Sequence, residues 1–230
     1  MKINWIGQSG YLLDDGETRI LIDPYLSDIV NKVANRPRMV DPLFMAKDFK
    51  GDAIICTHDH LDHLDPEAIK DFDKKMLFIA PLSCEQKLKE LECNNIALLN
   101  IGDSIEVGKF NFTAVFANHS IEAIGVLLEW DGYILYFTSD TLYHKKLEDM
   151  RKYKPDIMFV CINGKLGNMN VEEAVELTEI VNPRVGIPSH YGMFESNTEN
   201  PGKYTSKLKN SFEMEQNKFY HINEILGGRK

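Results

Sequence analysis

Residues 57–63 read Thr-His-Asp-His-Leu-Asp-His, placing three imidazoles and the carboxylate of Asp62 within six positions. Burying such groups unpaired is costly, and a solvated loop has no evident use for them. The flanks limit how the chain can fold around this stretch. Residues 53–57 are a continuous apolar run that reads as a buried strand ending at His58. Asp65-Pro66-Glu67 reads as a helix start, with Asp as N-cap, Pro at the first helical position and an acid in the first turn. The histidines therefore fill a tight loop between an interior strand and a helix, where α/β folds commonly carry their chemistry.

The rest of the chain supplies the frame. Residues 3–6, 11–13 and 19–22 are short apolar segments separated by Gly-containing turns, so the first third is β-rich. Residues 24–50 read as a surface loop with a helical turn, 76–80 as a strand and 84–92 as an amphipathic helix. From 96 to 140 the pattern is β again: 105–107 joins 109–117 across a glycine, and 125–130 meets 133–138 across the hairpin signal Asp131-Gly132. Helices near 143–152, over 171–181 and near 202–213 then alternate with strands at 157–162, 185–188 and 219–222. A β-rich half followed by β/α units predicts an α+β fold of two packed sheets with helices outside. No linker or repeat divides it, so residues 1–230 are expected to form one domain.

Imidazole and carboxylate with no thiolate suit divalent ions such as Zn²⁺, Mn²⁺ or Fe²⁺. On an extended segment His58 and His60 point the same way, while Asp62 and His63 sit where the chain turns and can face a second ion. Three further candidates stand at predicted strand ends: His119, Asp140 and His190. Singly, each is an ordinary hydrogen-bonding residue. Together they point to one site at the edge of two sheets.

The set THDHLDH, Asn-His-Ser at 118–120, Ser-Asp-Thr at 139–141 and Ser-His-Tyr at 189–191 resembles the metallo-β-lactamase superfamily. Within it, IDPYLSD (22–28), INGKLGNMNVEEA (162–174) and IPSHYGMFESNTENP (187–201) look like the ascorbate-6-phosphate lactonase group, and N-acyl-phosphatidylethanolamine phospholipases share a related pattern. The resemblance implies a four-layer αβ/βα sandwich with one ion held by His58, His60 and His119. It implies a second ion on Asp62, His63 and His190, with Asp140 bridging both. Ser139 stands where members usually carry Gly, and the chain is short for that lactonase group. The implied chemistry is hydrolysis of a small lactone or ester, a phosphorylated sugar-acid lactone being one candidate, with Asp62 orienting a nucleophile that two ions acidify.

Other residues invite roles by position. Tyr143 and His144 follow Asp140, and His144 is a candidate proton donor to a leaving group. Asn163 and Tyr191 are candidate substrate contacts, Lys165 a phosphate contact, and Asp23 an acceptor that fixes a ligand histidine. Each has a bland counterpart: a helix start, an Asn-Gly turn, a solvated lysine or core packing. His221 has no assignment.

Composition excludes more than it selects. The net charge of −9 argues against a phosphate-tracking surface, hence against nucleic acid as a partner. No apolar run approaches the ~20 residues of a membrane span. Cys56, Cys84, Cys93 and Cys161 form no Cys-x-x-Cys pair, and without an export signal the expected compartment is the cytoplasm. Homo-oligomerisation is expected only by analogy with relatives. Three competing readings share the fold: a phosphodiesterase, a metal-binding sensor without turnover, and a di-iron redox enzyme. The last usually has Glu where His60 stands.

Overall fold

The computed structural model describes residues 1–227. Its first sheet contains β1 (Lys2–Gly7), β2 (Gly10–Asp14), β3 (Arg19–Ile22), β4 (Ala53–Ile55), β5 (Leu77–Ala80), β6 (Ile96–Leu98) and β13 (Phe219–His221), in the order β13-β1-β2-β3-β4-β5-β6. The second contains β7 (Ser104–Val107), β8 (Phe110–Phe116), β9 (Ile124–Trp130), β10 (Tyr133–Phe137), β11 (Ile157–Cys161) and β12 (Val185–Ser189), in the order β12-β11-β10-β9-β8-β7.

Strand alternation builds the layers. Ile20, Ile22, Ala53, Ile55 and Ile79 join the main core, which also takes Phe112, Val126, Phe137 and Phe159 of the second sheet. The residues between them, Leu21, Ile54 and Phe78, face a separate apolar cluster with Ala68, Ile69 and Leu88. Those three belong to α2 (Pro66–Asp71) and α3 (Glu85–Glu90), which cover the outer face of the first sheet. On the second sheet Val171, Ala174, Leu177 and Val181 of α4 (Val171–Val181) close the other side. Interior strands are thus apolar on both faces, as strands covered by helices must be. The result is the expected sandwich of helices, sheet, sheet and helices. An aromatic cluster bridges the sheets: Tyr11 lies 4.7 Å from Phe159 and 5.2 Å from Phe137 between ring centroids.

Several predicted elements shift. The helix expected near 143–152 is a 3₁₀ helix, Lys145–Tyr153. Its inward residues Leu147, Met150 and Tyr153 recur every third position, the period of 3₁₀ rather than α geometry. The helix expected over 202–213 is limited to Gly202–Thr205. Beyond it the backbone pairs with β12, as Gly186 receives the Phe212 N–H and gives its own to Asn210. That unsatisfied edge outcompetes further helix. The last strand stops at His221 because His221 and Glu224 form a capping box that starts a helical turn at Ile222. All four cysteines are buried free thiols. No described helix is long and apolar enough to cross a membrane.

Candidate metal centre

Strand direction explains why distant residues meet. In the first sheet β1, β3, β4 and β5 run the same way, with β2 antiparallel between β1 and β3. In the second, β8, β10, β11 and β12 share a direction, with β9 reversed between β8 and β10. Their C-terminal ends emerge together. His58, His60, Asp62 and His63 follow β4, His119 follows β8, Asp140 follows β10 and His190 follows β12. Gln8, Asp23, Ser139 and His190 lie just past strand ends with φ of 54°, 44°, 56° and 60°. Such left-handed backbone in non-glycine residues is uncommon and tends to gather at functional sites.

The seven candidate ligands are brought together. Atoms from His58, His60 and His119 lie within 4.8 Å of one another, as do those from His58, His63 and Asp140, and those from Asp62, His63 and His190. His58 Nε2 is 3.0 Å and His119 Nε2 3.2 Å from His60 Nδ1. Asp140 Oδ1 is 3.3 Å from His63 Nε2 and 3.1 Å from His190 Nε2.

The surrounding hydrogen bonds decide which ring nitrogen faces the centre. Asp23 can only accept; it takes the Thr57 N–H and the Thr57 hydroxyl, each at 2.7 Å, and the His63 Nδ1–H at 2.7 Å. With its proton committed to Asp23, Thr57 Oγ1 accepts from His58 Nδ1 at 3.1 Å. The Gly167 carbonyl likewise takes the His119 Nδ1–H at 3.1 Å. Three rings therefore turn Nε2 toward a common space. A proton on His60 Nδ1 can bridge only one of its two short contacts, and the Nε2 lone pair at the other is left without a donor. His63 Nε2 and Asp140 Oδ1 are both buried and, despite their separation, not hydrogen-bonded. A shared cation relieves all of these contacts, and nitrogen and oxygen donors of this kind fit a borderline divalent ion.

Electrostatics divide the centre. Burial, followed by the neighbouring His63, holds the His58 pKa well below its ordinary value; burial and His119 lower that of His60. Burial alone would do the same to His63, yet Asp140, Asp23 and Asp62 hold its pKa well above the usual range. His190 is also raised, Asp140 overcoming burial, while His190 and His63 keep the Asp140 carboxyl well below its normal pKa against burial.

Residues 18–191 match the family described as the β-lactamase superfamily domain. The chain belongs to that superfamily. A UPF0173 protein of Pyrococcus furiosus is 28% identical over 221 residues, and a UPF0173 metal-dependent hydrolase of Archaeoglobus fulgidus is 28% identical over 226, each match covering 91% of both chains. Among solved structures, Igni18, a metallo hydrolase of Ignicoccus hospitalis, superposes with a TM-score of 0.78 at 21% identity, covering 96% of this chain and 98% of its own. That likeness supports the fold.

Beyond its seven candidate ligands, this superfamily member carries supporting residues of uneven legibility. Asp23 is the acceptor its Ile-Asp-Pro setting suggested. Gln8 was not anticipated. Its Nε2 lies 2.8 Å from Asp62 Oδ2 and 3.3 Å from His190 Nε2, and the only local hint is its place in a Gly-Gln-Ser-Gly turn. Asn168 also escaped notice; it donates to Asp140 Oδ2 at 3.0 Å. Gly167 has φ of +90°, and a Cβ there would meet His119 Cε1 at 2.9 Å. Ser139, in a left-handed position that glycine would occupy without strain, donates its hydroxyl to Thr57 Oγ1.

Three expected contacts have other partners. His144 caps the 3₁₀ helix, its Nδ1 accepting the Lys146 N–H at 3.1 Å, and its ring lies 5.1 Å from Phe116. Tyr191 follows a ligand candidate, yet its ring packs on Trp5 at 4.6 Å in the core, because the left-handed His190 turns the chain inward there. Asn163 is buried and donates to the Lys165 carbonyl and to Asn197 Oδ1. Lys165 reaches the Ser196 carbonyl, and Tyr143 bonds Glu148. His221 caps α6 (Ile222–Ile225).

Proposed function

We propose that this metal-dependent hydrolase of the metallo-β-lactamase fold opens a small lactone or cleaves a related ester in the cytoplasm. In this reading His58, His60 and His119 would hold one divalent ion and Asp62, His63 and His190 a second, with Asp140 available as a further ligand. Zn²⁺ and Mn²⁺ match the donors best, with Fe²⁺ third. Bound ions supply an acidified water and a counter-charge for an oxyanion. The chain's own side chains do the positioning. Gln8 fixes one Asp62 oxygen, leaving the carboxylate, on the wall of an open cavity of about 510 Å³, to take a proton from the nucleophile.

The observation that carries the reading is the convergence of five histidine ring nitrogens and the unbonded Asp140 Oδ1 on one space beside that cavity. Phosphodiester cleavage is the second reading, since two ions would serve it equally. The test is the metal content of purified protein, with turnover of lactone, ester and phosphodiester panels before and after chelation. Asp140→Ala is expected to lose at least one ion per chain and ~10²–10³-fold in rate, as removal of a key electrostatic group does. Hydrolysis that survives both chelation and this substitution rejects the proposal; metal binding with no turnover of any panel favours a sensor.

A further inference from the structure

Two arginines flank Pro37 in the loop after α1 (Ile29–Ala34), and their surroundings differ sharply. Arg38 is an anchor. Its Nε donates to the Val40 carbonyl at 2.6 Å, Nη1 to the Ser27 carbonyl at 2.8 Å, and the guanidinium lies 5.2 Å from the Tyr25 ring centroid. Arg36 has no hydrogen bond or ion pair among the described residues, is half-buried, and lines the cavity that holds His60, Asp62, Asp140 and His190. It stands between fixed points, Asn35 in the left-handed cap of α1 and Pro37, which restricts the residue before it. The planar guanidinium fork matches the geometry of a carboxylate or phosphate, and here no protein carboxylate among the described residues occupies it.

A second donor faces the same cavity. Asn163 must donate through Nδ2, because one of its partners is the Lys165 carbonyl. The same nitrogen also donates to Asn197, so the Asn197 atom it meets is Oδ1. That fixes the Asn197 amide and leaves its Nδ2 without a partner among the described residues, although Asn197 is only 4% exposed and lines the cavity. Apolar walls complete the space: Val30, Leu61 and Leu166, the last with φ of +54° and 57% exposed. The chain's charge of −9 repels anions in general, so an anionic group needs a specific receptor to enter.

We infer that the substrate is a small amphiphile carrying a carboxylate or phosphate away from the scissile bond, bound by Arg36 with the Asn197 amide, its apolar body lying along Leu61 and Leu166. The inference rests on the hydrolase reading of the metal centre. Arg36 selects the substrate and takes no part in bond cleavage.

Paired esters test it: mono-4-nitrophenyl glutarate, which ends in a carboxylate, and 4-nitrophenyl valerate, which ends in a methyl group. For the metal-loaded wild type the ratio of kcat/KM, glutarate over valerate, is expected to exceed one. Arg36→Gln should lower that ratio roughly ten- to hundredfold, the range of one charge-assisted hydrogen-bonded contact, chiefly through KM. Arg36→Lys should recover part of it. A ratio unchanged by Arg36→Gln overturns the inference, as does an equal loss on both esters. Calorimetric titration with succinate and with methyl phosphate, on metal-loaded wild type and Arg36→Gln, supplies a readout independent of turnover. At least tenfold weaker binding of one or both anions supports the receptor, and the more affected anion identifies the headgroup. Equal binding to both proteins rejects it. Failure of every ester alongside an Arg36-dependent succinate or methyl phosphate affinity would count against the hydrolase reading alone.

Discussion

The two triads of the candidate metal centre differ in what surrounds them. His58, His60 and His119 contribute imidazoles only, and His60 and His119 are partly open to solvent. Asp62, His63 and His190 bring in a carboxylate, with Asp140 beside them, and both histidines there are at most 1% exposed. This difference pushes His58 and His60 toward the neutral form and His63 and His190 toward the protonated one. The first triad offers lone pairs; the second also offers negative charge. A cation entering the second must displace protons, but once there it replaces them as counter-charge to Asp62 and Asp140. Similar ligand lists therefore need not mean similar ions or affinities, and the second triad is expected to bind the more tightly.

Substitutions at supporting residues can break that ordering. The largest effect is expected from Asp23→Ala, which removes the acceptor of His63 Nδ1 directly and reaches His58 only through Thr57. Loss of a ligand-orienting carboxylate should weaken the second ion about 10–100-fold. The buried donors left unpaired should also cost roughly 2–4 kcal/mol of stability. Metal titration and urea unfolding measure the two, and equal weakening at both triads would contradict the ordering. Gly167→Ala should act on the other triad. Its Cβ crowds His119 and its backbone sits at φ +90°, so the first ion should bind about tenfold less tightly, at a stability cost of ~1–3 kcal/mol. The smallest change is expected at Ser139→Gly. Relief of a left-handed serine, worth ~1 kcal/mol or more, offsets the lost hydroxyl bond to Thr57, worth a net ~1 kcal/mol. Thermal unfolding should shift little and metal affinity less than tenfold; a larger loss of affinity would show that Ser139 helps to hold Thr57 against His58.

Local sequence carried much of this centre because its signals are chemical and positional at once. Imidazoles and carboxylates directly after apolar runs mark strand ends, and strand ends in a two-sheet fold can share an edge. The Asp65-Pro66 helix start appears as written, Asp65 accepting the Glu67 and Ala68 N–H groups. Side chains whose partners lie far away were illegible. Gln8 reaches Asp62 only because β1 and β4 end at the same edge, 54 residues apart in sequence. His144 and Tyr191 show the reverse: adjacency to a ligand candidate decided nothing, since a cap and a core contact fixed where their rings lie.

Sequence alone determined the chemical types of the candidate ligands, the alternation that buries strands on both faces, and the acidic balance of the chain. Tertiary structure decided which nitrogen of each ring faces the centre, that the chain leaves the helix after Thr205 to pair with an edge strand, and that Arg36 rather than Lys165 stands unpaired among the described residues in the cavity. The division has a physical cause. Periodicity and residue chemistry are properties of a short segment, whereas tautomers, unmet hydrogen bonds and unpaired charges depend on which distant atoms the packed sheets bring within about 3 Å, the reach of a hydrogen bond.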